Sequence, residues 1–576
     1  MRKFFPILQT LRSYKREELP KDILAGFSVG IVLVPQGMAY AMIAGLPPVY
    51  GLYASLMPVL MYALLGTSRS LAIGPVAMDS LLVAAGLGTL AIVGLENYIT
   101  MAILLAFMVG AIQFVLGILR MGYLVTFLAK PVISGFTSAA AVIIIFSQLK
   151  HLLGVDIEGS NQFHRIFLNA IQKIPETNFY DLAIGLVGIL LLIGFKKWNR
   201  HIPGILIIVV LGVLAVYFFK MESLGIEIVG TIPKGLPGFV LPAIEMDNLR
   251  QLWPIALTLA LIGYLEAISI GKGFEEKNEE DQINANQELV AIGSANMLGS
   301  FFQSYPVTAS FSRSAINDES GSKTILSGIF TVLLVIVTLV FLTPRFYYLP
   351  KAILASIIMV SVYGLIDLKY AKRLWIYRKD EFIVLILTFL ITLFIGITQG
   401  ILTGVLFSLL LMVYRTSKPH FAVLSKIKNS DYYKNIARFE DEIIMRDDLL
   451  IVRFDSQLYF GNSDYFKNQL YKYMDLKGDN LKGVILNAEA INYIDSTATR
   501  MLIKVVKKIR NDGIQFYIAG AIGPTRDIIF RSGISKVLPR KFLFVKIKEA
   551  VAYFDNPENA SVNHERVAYQ RNETGN

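Results

Sequence analysis

The stretch Ser304-Tyr305-Pro306-Val307-Thr308-Ala309-Ser310-Phe311-Ser312-Arg313-Ser314-Ala315-Ile316-Asn317 lies deep in a long series of apolar segments, yet it is rich in hydroxyls and carries an arginine. A cation inside a membrane-embedded region is costly unless it has a partner or lines a wet cavity. Tyr305-Pro306-Val307 predicts extended backbone, because a residue before proline avoids the α region. Thr308 or Ser310 is then suited to N-cap a helix that begins within the membrane. Non-helical backbone at that depth is tolerated only where it is buried in protein or lines a cavity. A helix N-terminus with hydroxyls, and an arginine one turn in, is a ready anion site. The reading is an oxyanion-binding stretch in mid-membrane.

The surrounding chain supports that setting. It has 576 residues, 54% of them apolar. Up to about residue 415 it is a succession of apolar runs, many near the ~20 residues that a membrane helix needs. This predicts a polytopic α-helical membrane protein. Met1 to Lys21 is basic and polar, without the apolar core of a signal peptide. Its Arg2, Lys3, Arg12, Lys15, Arg16 and Lys21 place this end in the cytoplasm by the positive-inside rule. The net charge of +11 fits basic loops flanking a membrane rather than nucleic-acid binding. There is no cysteine, and the five histidines lack ligand spacing. With no metal cluster, nucleophile motif or phosphate-binding loop, neither an enzyme nor a cofactor is expected.

The first apolar run, Ile23 to Ala44, is broken by Val34-Pro35-Gln36-Gly37. Pro35 removes a helical hydrogen bond, and Gln36 puts an amide near mid-span, as in a cavity wall. Val49 to Leu65 is a second span. In Leu71 to Ser80, extended backbone over 71–73 precedes a helix with Pro75 in its first position. This is the design of the 304–317 stretch again. Two interrupted helices, one in each half, point to an inverted-repeat transporter. Further spans are expected at about 98–119, 125–149, 181–195 and 203–219, then at about 252–271, 288–302, 305–317, 324–343, 349–365, 380–396 and 398–414. The total is about fourteen. Lys196, Lys197, Arg200, Lys369, Lys372, Arg373, Arg378 and Lys379 keep both termini inside, with 150–180 and 220–248 outside.

Glu266 stands alone as a carboxylate in the span from Ala256 to Gly271, and Arg313 is its expected partner. Lys272 snorkels at the span end. Asp79 either lines the site or caps a neighbouring helix end. After residue 414 the pattern changes. Residues 415–448 are a polar connector, and 449–554 alternate as a small α/β domain. Strands are expected at 449–454, 483–486 and 514–519, with helices at 462–473 and 496–511. Residues 555–576 are a polar tail predicted to be disordered.

Pro35-Gln36-Gly37-Met38-Ala39-Tyr40-Ala41-Met42-Ile43-Ala44-Gly45-Leu46-Pro47-Pro48-Val49-Tyr50-Gly51-Leu52-Tyr53 resembles the signature of the sulfate permease (SulP) family of anion transporters. Gly74-Pro75-Val76-Ala77 and Ser310-Phe311-Ser312-Arg313-Ser314 are similar to further family motifs, and Leu265-Glu266-Ala267-Ile268-Ser269-Ile270-Gly271-Lys272 resembles the eighth span of plant-type sulfate transporters. Tyr493-Ile494-Asp495-Ser496-Thr497 resembles the signature loop of a STAS domain. The resemblance runs from about residue 8 to 553. It implies two inverted sets of seven spans, a core and a gate, an elevator-like shift of the core, a homodimer and a membrane domain over residues 22–414. It also implies that Ser310, Ser312 and Arg313 bind the anion with backbone donors at Val76 and Ala77 and the polar Gln36. Tyr40 and Thr308 are further candidates to line the site. Glu266 matches a carboxylate linked to proton coupling. Asp79 stands where the family usually has an apolar residue. Thr497 matches a position phosphorylated in related bacterial regulators, or else is an unmodified residue capping the following helix.

The resemblance implies secondary active transport of sulfate or a similar small oxyanion, with a proton as coupling ion, in a cell or inner membrane. Ionised, Glu266 would pair with Arg313 and compete with an arriving dianion; neutralised, it would release Arg313, so that proton and sulfate enter together. An alternative of the same fold is a sodium-coupled bicarbonate or dicarboxylate transporter, which Ile270 disfavours because it lacks a hydroxyl one turn after Glu266. A third is a non-transporting anchor whose STAS domain binds a cytoplasmic partner; the intramembrane Gln36, Glu266 and Arg313 argue against it.

Overall fold

The computed structural model describes residues 6–90, 92–123, 129–157, 163–198, 203–277, 283–439 and 443–558. Arg200 and most of the expected disordered tail lie outside these residues. The chain divides into two compact units, Met1–Ser408 and Leu409–Asn576.

The first unit opens with α1 (Ile7–Ser13), α2 (Leu19–Ile43), α3 (Pro48–Tyr53) and α4 (Met57–Leu65). Strand β1 (Ile73–Gly74) follows, then α5 (Ala77–Gly88), α6 (Leu95–Ile118), α7 (Lys130–Ser147) and α8 (Leu149–Leu153). The amphipathic α9 (Phe163–Lys173) leads to α10 (Phe179–Trp198) and α11 (Gly204–Phe219). The second half begins with α12 (Met246–Lys277), α13 (Ala285–Ser300), strand β2 (Thr308–Ala309) and α14 (Phe311–Glu319). It continues with α15 (Ser327–Val337), α16 (Lys351–Tyr363), α17 (Leu368–Tyr377) and α18 (Lys379–Phe394), and α19 (Ile397–Ser417) runs across the division at Ser408.

Among the described residues, nine helices are long and apolar enough to cross a membrane, and α5 and α11 are shorter apolar helices. The expected fourteen spans include short elements: α13 and α18 have 16 residues each, and α14 has nine. Three local expectations change. The helix of the first run is not broken; α2 continues through Pro35, buried over most of its length. The expected second span, Val49 to Leu65, is long and apolar enough to cross, but it is not one unbroken helix: Ala54 to Leu56 turn the chain between α3 and α4, and Pro58 sits in the first turn of α4. Pro75 does not open α5: Val76 is still extended, and the helix starts at Ala77.

The packing of the two halves follows one pattern. Helix α6 packs on α12 and α13, and α15 packs on α2 and α4. Small residues let the α6–α13 backbones touch: a Cβ at Gly110 would lie 2.6 Å from the Gly293 carbonyl, and one at Gly293 would lie 2.8 Å from that of Gly110. Two buried carboxylates tie loops to helix starts. Asp22 of α2 accepts hydrogen bonds from Lys323 N (2.7 Å), Thr324 N (3.0 Å) and Thr324 Oγ1 (2.6 Å). Glu288 of α13 accepts from Thr67 N (2.8 Å) and Tyr62 OH (3.0 Å). Outward faces stay apolar, with Leu190 of α10 68% and Leu402 of α19 61% exposed, as suits a lipid-facing surface.

The second unit is an α/β domain. Its sheet has strands β3 (Phe421–Ile427), β4 (Tyr433–Asn435), β5 (Ile443–Ile444), β6 (Leu449–Phe454), β7 (Gly483–Asn487), β8 (Gln515–Ala519) and β9 (Leu543–Phe544). The main path runs β4-β3-β6-β7-β8-β9, and β5 pairs with β3. From β6 to β9 the strands are parallel, while β3 runs antiparallel to β6. Helices α20 (Ser463–Lys477), α21 (Ser496–Asn511), α22 (Gly523–Arg531), α23 (Ile534–Val537) and α24 (Ile547–Asp555) complete it. Here the expected polar connector differs from the fold: β3, β4 and β5 lie inside 415–448. Phe421-Ala422-Val423-Leu424 supplies a mostly buried face, while the charged residues around it mask the strand in composition.

Candidate functional site

The site is built where two interrupted helices meet. Strands β1 and β2 pair antiparallel, Ile73 opposite Ala309 and Gly74 opposite Thr308. Two residues of ladder satisfy backbone groups that otherwise have no water to bond at this depth. The crossing is fastened further by Ser310 N donating to Ala72 O (2.9 Å) and Ala72 N donating to Ser314 Oγ (2.9 Å). Each strand runs directly into its half-helix, so the N-termini of α5 and α14 flank the ladder. Neither N-cap residue, Val76 or Ser310, caps its helix through its side chain. That corrects the expectation of a hydroxyl cap. The Ser310 hydroxyl lies 3.3 Å from Ser312 Oγ, and Thr308 Oγ1 donates to Gly263 O at 2.6 Å. The first-turn N–H groups of both half-helices therefore keep their donor capacity and partial positive charge for a ligand.

Arg313 is fully buried, with Nε and Nη2 lacking a hydrogen-bond partner among the described residues. Its Nη1 reaches Gln36 Oε1 of α2 at 3.5 Å. Its Nη2 would lie 3.2 Å from a Cβ at Gly74, whose φ is +148°. Glycine there lets the guanidinium approach the β1 backbone. Glu266 comes from α12 and lies within electrostatic range of Arg313 and Asp79. The expected Glu266–Arg313 ion pair is not closed: Glu266 Oε2 is sealed from solvent without a partner, as are the two guanidinium nitrogens. The guanidinium is turned instead toward Gln36 and Gly74. Tyr40 and Tyr305 also lie within electrostatic range of Arg313. Thus Gln36, Tyr40, Val76, Ala77, Asp79, Glu266, Thr308, Ser310, Ser312 and Arg313 gather around one ladder. Lys272 is exposed near the end of α12 and stands apart.

A polar scaffold beside the ladder is absent from the sequence reading. Asn296 of α13 accepts from Val307 N (2.8 Å) and donates to Val307 O (3.0 Å), pairing with the extended segment as a strand would. Its Nδ2 also donates to Gln113 Oε1 of α6 (3.2 Å), and Gln113 Nε2 donates to Ala260 O of α12 (3.0 Å). Ser80 Oγ and Tyr305 OH lie 3.1 Å apart. The available signal was an amide inside an otherwise apolar run, the same signal that flagged Gln36. In the second unit, Asp495 is the N-cap of α21 and accepts from Ala498 N (2.7 Å), while Thr497 is exposed in the first turn. Thr497 is therefore not the cap. Among the described residues no cluster of His, Cys, Asp or Glu suits a metal ion.

The arrangement brings backbone amides, hydroxyls and a buried guanidinium with two unpartnered nitrogens together at one short ladder. The chain is 38% identical to a relative named Sulfate transporter 4.1, chloroplastic, of Arabidopsis thaliana, over 95% of this chain and 82% of the relative. It is 31% identical to Sulfate transporter 3.2 of the same plant, covering 96% of this chain and 89% of that one. The murine anion transporter Slc26a9 superposes with a TM-score of 0.88 at 27% identity, covering 96% of this chain and 94% of that one. A STAS domain model matches residues 442–552. Since the Sulfate permease family model matches residues 19–388, the chain belongs to that family, as an integral membrane protein with an anion-transporter fold and a C-terminal STAS domain.

Proposed function

We propose that the protein carries sulfate across its membrane by secondary active transport, as a proton-coupled symporter. The observation that carries this reading is Arg313: a fully buried guanidinium with two unpartnered nitrogens, set at the meeting point of two half-helix N-termini. Relatives named as sulfate transporters support the choice of anion. Glu266, within electrostatic range of Arg313 but not bonded to it, is the proton-coupling group. Ionised, it opposes an arriving dianion; protonated, it leaves Arg313 free to bind. Ser310, Ser312, Gln36 and the N–H groups beginning at Val76 and Ala77 complete the anion's shell.

In this reading the half-helices move with a core against a gate, in an elevator-like shift, within a homodimer whose termini are both cytoplasmic. The transporter domain spans 22–414, and the STAS domain occupies 449–554, extended upstream by the strands from Phe421. Exposure of Thr497 leaves it open to modification.

Labelled sulfate uptake into proteoliposomes tests the reading under an inward proton gradient, a sodium gradient, and neither. Proton-driven uptake that Arg313→Ala abolishes is the expected result. Sulfate flux that survives Arg313→Ala overturns the site. Bicarbonate uptake driven by sodium, without sulfate flux, overturns the substrate and the role of Glu266.

A further inference from the structure

Asp79 is the third residue of α5, 2% exposed, and its Oδ1 has no hydrogen-bond partner among the described residues. Among the described residues this carboxyl caps no neighbouring helix and forms no ion pair. Its other oxygen lies against α12: a Cβ at Gly263 would come 3.3 Å from Asp79 Oδ2. Gly263 is one turn before Glu266 on that helix, and the two carboxyls lie within electrostatic range of each other. We propose that Asp79 is a second proton-carrying group of the anion site, so that one dianion travels with two protons, one on Glu266 and one on Asp79. This rests on the proton-coupled reading above and fixes its stoichiometry.

Charge matching leads to the number two. Arg313 supplies one positive charge, and each half-helix N-terminus supplies about half of one. The sum is about +2. Without the anion, two carboxylates neutralise it. With a dianion bound, neutrality requires that both carboxyls hold protons. A single protonation would leave net negative charge buried among apolar helices, which a low-dielectric interior strongly disfavours. The protons are taken up from water on the side of entry and released on the other side, with no covalent step.

The helices packed on α5 are α2, α6, α7 and α12. From α2 the titratable group near the site is Tyr40, and from α12 it is Glu266. Arg313 of α14 and Tyr305, which sits 3.1 Å from Ser80 Oγ, complete the set. Helices α6 and α7 carry charge only in their first turns, at Glu96 and Lys130.

The test uses the full chain in proteoliposomes, with the potential clamped by potassium and valinomycin. Labelled sulfate is followed to its steady accumulation ratio. Two protons per sulfate predict about 100-fold accumulation per pH unit, independent of voltage. Asp79→Asn carries one proton with the dianion. It should give about tenfold per pH unit, rising about tenfold for each 59 mV of inside-positive potential. A wild-type ratio of tenfold per pH unit, or a 100-fold ratio kept by Asp79→Asn, overturns the proposal while leaving proton coupling intact. Wild-type accumulation that ignores pH removes the coupling reading itself. Should Asp79→Asn fail to fold, proton uptake on sulfate binding by wild type in weak buffer decides: two per sulfate support the proposal, and one overturns it.

Discussion

Replacing Asn296 with alanine should disable the anion site without touching a residue that contacts the anion. Asn296 is fully buried and holds both backbone groups of Val307, at 2.8 and 3.0 Å, three residues before the N-cap Ser310. Asn296→Ala leaves the Val307 N–H, the Val307 carbonyl and Gln113 Oε1 without this partner. A buried polar group stripped of its bond costs about 1–3 kcal/mol. Three such groups set a ceiling near ~9 kcal/mol, and local relaxation or a trapped water lowers the expected loss to about 2–4 kcal/mol. Against a total stability of roughly 5–15 kcal/mol this is a large fraction. The same loosening lets the segment from Val307 to Ser310 drift, so the N–H donors of α14 lose their aim. Losing one charge-assisted hydrogen bond, worth about 1.5–3 kcal/mol, weakens sulfate binding by about 10–100-fold. Thermal unfolding of the detergent-purified protein gives the first number, and sulfate titration by calorimetry gives the second. A variant that unfolds within about 0.5 kcal/mol of wild type and binds sulfate equally well would refute the argument that Asn296 serves as a strand partner.

Two further outcomes follow from packing and charge. Gly293→Ala pushes its Cβ to 2.8 Å from the Gly110 carbonyl, so overpacking should cost about 1–3 kcal/mol and lower the melting temperature. Gly194→Ala, which meets nothing within 4 Å, is the control, and equal melting of the two would sink the close-contact explanation. In the second unit, the Arg446 guanidinium holds the Asp448 carboxyl below the usual carboxylate range, donating from Nε at 2.9 Å and Nη2 at 2.6 Å, while its Nη1 reaches Asp555 at the end of α24 at 2.7 Å. A depressed carboxylate stabilises the fold above its unfolded value of about 4, and that contribution vanishes as pH falls through the folded value. Arg446→Ala should lower amide protection at the start of β6, next to Asp448, by up to about fivefold at pH 7, in keeping with the ~1 kcal/mol of exposed pairs. The difference should close below about pH 4, and a gap that persists there would assign the effect to the packing of the Arg446 guanidinium on the Phe554 ring, 5.4 Å from its centre.

Placement was legible where one residue type has few roles at membrane depth. Arg313, Glu266 and Gln36 are polar groups in apolar runs, and each lies at the ladder. Pro306 marked extended backbone, and the mostly apolar run from Leu449 to Phe454 marked its strand residue for residue. Where local signals compete with packing, the reading failed. Pro35 breaks helices in isolation, but α2 is enclosed by neighbours and stays helical through it. Ser310 sits at the cap position, yet its hydroxyl faces Ser312, because capping depends on a rotamer that composition does not encode. Strand β3 was hidden because its charged flanks look like linker.

The failed cap carries a functional argument. A serine that capped α14 would occupy the donors that an anion needs, and a closed Glu266–Arg313 bridge would occupy the guanidinium. Both interactions are natural predictions from sequence because each would stabilise the fold. Neither forms: Ser310 stands before α14 without capping it, and Val76 before α5 has no polar side chain to cap with. Stability is supplied by other bonds instead, by Asn296 on Val307, by Ser314 on Ala72 and by Thr308 on Gly263. Fastening the backbone through these bonds leaves both the dipole ends and the arginine free. On the proposed function, a site held this way is preorganised for its anion, so less of the binding energy is spent on ordering it.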